Sequence, residues 1–180
     1  MHHLAKMYPM KKIFCLMLLC LAGVTSMACA HTTGEVAIGS ILHDAQMQGL
    51  SGGSKKLSSF YGKPLVINVW ASWCGPCRQE MGSLERLSHR ARGGQFNVIG
   101  ISTDDYRDAA AAFLKLSKTT FPNFIDHDVI LENMLGADHI PLTILVDAQG
   151  RVLDKFYGAN EWDSPEAIAT LKKTFHIQFK

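Results

Sequence analysis

The sequence VINVWASWCGPCRQEM, from Val66 to Met81, passes from an apolar run through a Cys-Gly-Pro-Cys turn into a polar segment. This order predicts a buried strand, a turn and a helix that begins at the turn. Pro76 suits the first turn of a helix, because its φ angle is already fixed and it has no N–H to leave unsatisfied. The stretch therefore places two cysteines where a strand meets a helix.

Cys74 and Cys77 lie three positions apart, so in a helix they share one face, with Cα atoms roughly 5–6 Å apart. That spacing permits a disulfide that opens and closes. The free N–H groups and the positive dipole end of the helix stabilise a thiolate at its start, so we expect the pKa of Cys74 to fall below the usual ~8.5. Cys74 is therefore predicted to be the attacking sulfur.

Other uses of a Cys-x-x-Cys pair need additional residues. A structural zinc site needs two more ligands, but the chain has neither a second Cys-x-x-Cys nor a suitably spaced histidine pair. Covalent haem attachment needs histidine where Arg78 stands. An inert disulfide would not explain the surrounding string, and no metal site is predicted. A metal-binding chaperone that uses the two thiolates, with His139 as a further ligand, stays open as an alternative.

The string around the cysteines also carries a resemblance. Trp73 to Cys77 after an apolar strand resembles the thioredoxin active site, and the longer string from Asn68 to Met81 resembles the TlpA/ResA/DsbE branch of extracytoplasmic thiol-disulfide oxidoreductases. The likeness extends from about Ile41 to the end of the chain. It implies an α/β, thioredoxin-like fold with an N-terminal β-hairpin and a central αβ insertion between the active-site helix and Pro141.

The resemblance also implies roles for residues outside the turn. Pro141 matches the cis-proline beside the active-site sulfurs, and Ile140 before it would offer backbone groups to an extended substrate segment. The alternative for Pro141 is an ordinary proline at a strand entrance. Trp73 is expected to border the cysteines as a contact platform for the substrate, or to serve in packing.

Asn68 stands six residues before Cys74, where thioredoxins carry a buried aspartate that accepts a proton. The usual base is therefore missing. The ResA-like branch has a glutamate three residues past the second cysteine, and Glu80 matches that position, so the resemblance implies a role for Glu80 in proton transfer. On a helix it would face the same way as Cys77. The alternative is an exposed carboxylate that only favours the helix dipole.

The amino terminus predicts export. Lys11 and Lys12 precede a twelve-residue apolar run over 13–24, which is short for a membrane span of about 20 residues and fits a secretory signal peptide. The small-x-small sequence 28–30 places cleavage before His31. An uncleaved N-terminal anchor and a lipid anchor at Cys29 are the alternatives. We therefore predict a signal peptide over 1–30 and one thioredoxin-like domain over 31–180.

Charge and cysteine usage support this division. The 180 residues carry a formal charge of +2, but without Lys6, Lys11 and Lys12 the 18 basic residues fall to 15 against 16 acidic ones. This balance gives no electrostatic reason to expect a nucleic-acid partner. Three of the five cysteines fall within 1–30. An exported chain left with one close cysteine pair uses it for chemistry.

Two local patterns give further predictions. The segment 41–45 is read as a strand that leads into the hairpin. Thr103-Asp104-Asp105 is read as the cap of a helix from about Tyr106 to Lys118. Its predicted buried side consists of Ala109, Ala112, Phe113 and Leu116.

The predicted function is that of a periplasmic thiol-disulfide oxidoreductase that reduces disulfides of exported proteins. Like the proteins it resembles, it would receive electrons from a membrane donor of the DsbD/CcdA type and act in cytochrome c or copper-site maturation, with no cofactor. The Gly-Pro pair between the cysteines is that of thioredoxin and favours the reducing direction. A disulfide oxidase or isomerase is the nearest alternative.

Overall fold

The computed structural model describes residues 34–91 and 93–179. Seven strands form one mixed sheet there: β1 Gln46–Gly49, β2 Lys55–Lys56, β3 Leu65–Trp70, β4 Asn97–Ser102, β5 Asn123–Ile125, β6 Leu142–Val146 and β7 Val152–Tyr157. The α-helices are α1 Gly75–Ala91, α2 Arg107–Ser117, α3 Ile130–Leu135 and α4 Pro165–Phe175. A 3-10 helix spans Leu57–Phe60. The predicted α/β thioredoxin-like class is confirmed.

The predicted signal peptide, with Cys15, Cys20 and Cys29, lies outside the described residues, so its cleavage or retention stays a prediction. In the part of the chain that the structure describes, no helix combines the length and the apolar character needed to cross a membrane.

β3 lies in the interior of the sheet, between β4 and β6. The strand order is β2-β1-β5-β4-β3-β6-β7. β3 runs parallel to β4 and antiparallel to β6, so it is paired along both edges. All six residues of β3 are buried, as expected of a strand covered on both faces. The prediction of a buried strand at 65–70 is confirmed.

Alternation along β3 divides the core into two layers. Val66 and Trp70 point to a cluster that includes the buried faces of α1, α2 and α4. Leu65, Ile67 and Val69 point to the opposite cluster, which includes α3. Asn68 shares the parity of Val66 and Trp70, and side chains two apart on a strand lie on the same face. It therefore points toward α1, the helix that carries the cysteines.

Helix α1 begins at Gly75 and buries Met81, Leu84 and Leu87. This apolar face follows the helical period, as the sequence predicted. The helix ends at Ala91, directly before the region of the Gly93-Gly94 pair. A long, packed helix therefore fixes the position of its own first turn.

The N-terminal hairpin is confirmed, but its first strand is not where it was predicted. β1 begins at Gln46, pairs with β2, and also joins β5. Ile41 makes only an isolated bridge to Arg151 and is half exposed. The alternating burial that marks a strand begins at Gln46, where Met47 and Gly49 face inward.

Helix α2 is turned relative to its predicted orientation. Phe113 is buried as predicted, together with Ala110, whereas Ala109 and Ala112 are exposed and Leu116 is 74% exposed. A run of four alanines carries no hydrophobic period, so the pattern does not determine which face of this helix is buried. The predicted cap is also wrong: Tyr106 precedes the helix without a side-chain cap, and Asp104 has other partners.

The predicted central insertion is confirmed. β5 and α3 follow α2 and precede β6, and β5 extends the sheet beyond β4 by parallel pairing. Helix α3 ends at Gly136, which has a φ of 74°, a left-handed conformation that favours glycine. The insertion therefore lies beside the carboxyl ends of β3 and β4, where the cysteines are.

Candidate active site

Cys74 and Cys77 form a disulfide, with their Cα atoms 5.3 Å apart. Cys74 directly precedes α1, and its carbonyl accepts the first helical hydrogen bond, from Arg78 N–H. The N–H of Cys77 also points to Cys74 Sγ, at 3.2 Å. Cys74 thus occupies the position of a helix N-cap residue. After reduction, the same N–H can stabilise a thiolate on Cys74.

The two sulfurs differ in access. Cys74 retains 5% of its surface and Cys77 retains none. Trp73, next to Cys74, is 70% exposed, and Gly75 and Pro76 are exposed as well. A polypeptide can therefore reach the disulfide only from the side of Cys74.

The Ile140–Pro141 peptide bond is cis, as the resemblance implied. The carbonyl oxygen of Ile140 lies 3.8 Å from Cys74 Sγ, although the two residues are 66 positions apart. Pro141 directly precedes β6, which pairs with β3. The sheet therefore brings Ile140 and Pro141 beside the sulfur, and their predicted role in substrate binding stays a prediction.

A groove of about 300 Å³ opens beside this arrangement. Trp73 and Ile140 contribute to it from the disulfide side, and Val129 and Ala137 from the insertion. The remaining lining residues are mostly acidic: Asp104, Asp105, Asp126, Glu132 and Asp138, with Thr103 and His127. The pKa of Glu132 is raised by partial burial and by the neighbouring charge of Asp126.

Glu80 is buried on α1, with 2% of its surface exposed. Its Oε1 accepts a hydrogen bond from Asn68 Nδ2 at 2.7 Å, and its Oε2 accepts from Asn160 N–H at 3.0 Å and from Trp162 Nε1 at 3.1 Å. Burial raises the pKa of Glu80, and these three hydrogen bonds offset the rise only in part. The alternative of an exposed carboxylate is therefore wrong.

Asn68 also links Glu80 to β6, the strand that pairs with β3. Its Nδ2 also donates to Thr143 Oγ1 at 3.0 Å, and both residues are buried. Its Oδ1 has no hydrogen-bond partner among residues 34–91 and 93–179. A neutral amide at this position cannot take up a proton as an aspartate can. Glu80 is thus the ionisable group of this network.

Cys74, Cys77 and His139, the ligands of the alternative metal site, do not form a metal-binding group among the described residues. The side chain of His139 is 83% exposed, and its Nδ1 lies 3.2 Å from Asp138. Within the described ranges, no three residues among His, Cys, Asp and Glu are grouped so that they could hold a metal ion.

A family model described as Redoxin matches residues 37–171. This range includes both cysteines, Glu80, Pro141 and Trp162. The chain belongs to the Redoxin family.

Named relatives define the branch of this family. The chain is 28% identical over 144 residues to "Thiol-disulfide oxidoreductase ResA" of Geobacillus thermodenitrificans, an alignment that covers 79% of this chain and 83% of that protein. It is 30% identical over 122 residues to "Thioredoxin-like protein YneN" of Bacillus subtilis, with 64% of this chain and 68% of that protein covered. This Redoxin-family chain is a thiol-disulfide oxidoreductase of the thioredoxin-like ResA/DsbE type.

Solved structures agree with that assignment. A Chlorobium tepidum protein described as thiol:disulfide interchange protein DsbE superposes with a TM-score of 0.71 at 25% identity, covering 77% of this chain and 98% of that one. A secreted thiol-disulfide isomerase from Corynebacterium glutamicum gives a TM-score of 0.63 at 28% identity, covering 73% of this chain and 85% of that one.

In this Redoxin-family site, sequence reasoning missed the residues that contact Glu80 but lie far from it in the sequence. Asn160 and Trp162 are 80 and 82 positions away from Glu80. Ser83 Oγ joins them to α1, because it accepts from Trp162 N–H at 3.0 Å. Their local sequence reads as a loop before α4, and no spacing rule connects such a loop to a helix 80 residues earlier.

Proposed function

We propose that the protein is an extracytoplasmic disulfide reductase that acts on exported proteins. The observation that carries this proposal is the asymmetric cysteine pair: Cys74 starts a helix, reaches the surface beside Ile140, and is backed by the fully buried Cys77. Such a pair can attack one partner disulfide and then release it. The secreted isomerase that it resembles and the predicted signal peptide support the location, with the periplasm as the compartment.

The reaction begins with reduced protein. The Cys74 thiolate attacks one sulfur of the substrate disulfide, which breaks that bond, forms a mixed disulfide and releases a substrate thiolate that takes up a proton. Cys77 then loses its proton, and its thiolate attacks Cys74 Sγ. The Cys74–Cys77 bond forms and the second substrate thiolate leaves. The second thiolate takes up a proton as it leaves, so the substrate has gained two electrons from the protein and two protons, one released by Cys77 and one from solvent.

Glu80 is our proposed acceptor of the Cys77 proton. It follows Cys77 by three residues on α1, so both side chains lie on the same helix face, and both are buried. Burial raises the pKa of Glu80 toward the range in which a carboxyl group can take up and return a proton. If the Asn68 amide turns over, its free Oδ1 can accept from the protonated carboxyl.

Substrate binding is assigned to the surface beside Cys74. The exposed Trp73 indole offers an apolar platform, and the backbone of Ile140 offers hydrogen-bonding groups to an extended segment. We propose apocytochrome c or copper-site proteins as substrates, by analogy with the ResA/DsbE branch. A membrane donor of the DsbD/CcdA type would return the two electrons.

The experiment is trapping in cells. Cys77→Ala cannot resolve the mixed disulfide, so it should accumulate adducts through Cys74, which mass spectrometry can identify. The matched control is Cys74→Ala, which should give none. Adducts with exported cysteine-bearing proteins, together with a mostly reduced Cys74–Cys77 pair in the wild type, are expected. Absence of adducts would contradict the proposal.

A disulfide isomerase is the second candidate, and the isomerase among the similar structures favours it. The redox state of the wild-type cysteine pair and an isomerase assay separate the two functions. A pair that is mostly oxidised in cells would favour an oxidase, whereas reduced protein that repairs scrambled ribonuclease without being consumed would favour an isomerase.

A further inference from the structure

Asp104 is a buried carboxylate that binds the turn before the cysteines. Its Oδ2 accepts from the N–H of Ser72 at 2.9 Å, and its Oδ1 accepts from Ser72 Oγ at 2.6 Å. Ser102 Oγ donates to Oδ2 at 2.7 Å. Asp104 itself is 3% exposed. Both of its oxygens are therefore used by donors, two of which belong to one residue of the active-site turn.

This clamp, Asp104 with Ser72, joins the ends of two strands. Trp70 and Ser102 are register partners at the carboxyl ends of β3 and β4, and the N–H of Thr103 still donates to Trp70 O at 2.9 Å. Beyond that bond the segments that follow the two strands diverge: the segment after β3 leads to the disulfide, and the segment after β4 leads to α2. Ser72 and Asp104 each lie two residues past the strand end, so the clamp is what continues the connection.

The clamp holds Ser72, a half-buried residue that lies between the core residue Ala71 and the exposed Trp73. Trp73 is 70% exposed, so core packing cannot set the direction of its side chain. The N–H of Cys74 donates to Ala71 O at 3.2 Å, which closes the turn locally. Core packing of Ala71 and α1 places the two ends of the turn. The two-point hydrogen bonding of Ser72 to a carboxylate sets the orientation of the segment between them, because bonds to charged acceptors are stronger than neutral ones.

We propose that Asp104 is a positioning residue for disulfide exchange, acting through Ser72 to hold Trp73 and Cys74 in the orientation that meets the substrate. The proposal rests on the proposed function, because it assigns Trp73 and Cys74 to the substrate-binding side. Loss of the clamp lets the turn move, so the sulfur is less often aligned with an incoming disulfide. Small displacements of a reacting group can cost up to about 100-fold in rate.

The chain contains a matched control for this clamp. Asp44 binds Ser58 in the same way, with the N–H of Ser58 donating to Oδ1 at 2.9 Å and Ser58 Oγ donating to Oδ2 at 2.9 Å. This second pair lies at the 3-10 helix before β3, at the opposite end of that strand from the cysteines. Its variants lose the same bonds without touching the active-site turn.

The experiment compares Ser72→Ala, Ser72→Thr and Asp104→Asn with Ser58→Ala and Asp44→Asn. Insulin reduction gives kcat and KM. The rate of iodoacetamide alkylation of the reduced protein, followed against pH, reports on Cys74. We expect Ser72→Ala and Asp104→Asn to lower kcat/KM between about 5-fold and 100-fold and to shift the alkylation profile. Ser72→Thr keeps the hydroxyl and should stay near wild type, as should both control variants.

Equal effects of the Ser72 and Ser58 variants on insulin reduction would overturn the proposal. A loss of insulin reduction in proportion to the loss in the free energy of unfolding would overturn it as well. If Asp104→Asn does not fold, Ser72→Ala decides, because it removes one hydroxyl from a half-buried side chain. A wild type that fails to reduce insulin would instead contradict the proposed reductase. The alkylation profiles would still test the clamp, since they need no substrate protein.

Discussion

Asn68 Nδ2 lies 2.7 Å from Glu80 Oε1 in a contact that is closed to solvent. It joins the central strand to the active-site helix by a neutral donor and an ionisable acceptor. Because the amide can present either its N–H or its carbonyl oxygen, it can meet the carboxyl group in either protonation state. Of these two residues, only Glu80 titrates.

This burial gives stability a pH dependence with a definite sign. The pKa of Glu80 is raised above its ordinary value of 4.5, mainly by burial. The folded protein therefore keeps a proton at pH values where the unfolded chain has lost it. The stabilisation is complete below pH 4.5 and disappears as the pH rises through the folded-state pKa. Glu80→Gln should remove the Glu80 contribution and so reduce this slope, as measured by urea unfolding at a series of pH values.

Glu85 on the same helix is the control for Glu80. Partial burial alone would raise the pKa of Glu85, but hydrogen bonds from Thr120 and His89 bring it below the ordinary value. Its contribution has the opposite sign, present above the unfolded-state pKa and lost as the pH falls. Glu85→Gln should therefore destabilise the protein at neutral pH. A slope that is unchanged in Glu80→Gln would show that another group causes it.

The second prediction concerns the reduced cysteines. Cys74 should react with iodoacetamide at a pH below the usual thiol pKa of about 8.5, since the helix start and the N–H of Cys77 stabilise its thiolate. Cys77, which is fully buried, should react far more slowly. Peptide mapping after brief alkylation measures both. Equal labelling of the two cysteines, or a Cys74 that titrates like a free thiol, would contradict the attacking role of Cys74.

The elements that carry this chemistry could be predicted because their signals are local. The apolar run of β3, the Cys-Gly-Pro-Cys turn and the period of α1 all lie within 30 residues, and each is read from neighbours in the chain. The burial of Glu80 could not be predicted, because it depends on Trp162, 82 positions away. Asp104 was read as a helix cap for the same reason: its partner Ser72 is 32 positions away.

The third prediction tests packing behind the active site. Asn123 Oδ1 accepts from Trp70 Nε1 at 2.9 Å, and the Asn123 side chain passes over Gly100 to make this bond. A Cβ at Gly100 would lie 1.8 Å from Asn123 Oδ1 and 2.9 Å from Trp70 Nε1. Gly100→Ala must therefore displace Asn123 and break this bond, at a cost of about 3 kcal/mol in the free energy of unfolding. Urea denaturation measures it.

Gly53→Ala is the matched control, because a Cβ there meets nothing within 4 Å and should change stability by less than about 0.5 kcal/mol. If Gly100→Ala is no more destabilising than Gly53→Ala, Asn123 has space to move and the described contact does not limit the core.

The last prediction concerns Val129, which precedes α3 at the edge of the groove beside Trp73. Its φ is 56°, a left-handed conformation that costs a residue with a Cβ about 1–2 kcal/mol and is especially rare for a β-branched side chain. Asp126 holds the segment, because its carboxylate accepts from the N–H groups of Ile130 at 3.2 Å and Glu132 at 2.7 Å. Val129→Gly relieves the strain and should raise the free energy of unfolding by about 1 kcal/mol.

Val129→Ala separates strain from lost contact, since it keeps the Cβ in the left-handed conformation while removing most of a side chain that is already 43% exposed. We expect no gain in stability for Val129→Ala, and thermal or urea unfolding of the two variants side by side gives the comparison. A loss of stability in Val129→Gly that matches the loss in Val129→Ala would mean that the valine contacts, rather than the backbone conformation, dominate at this position.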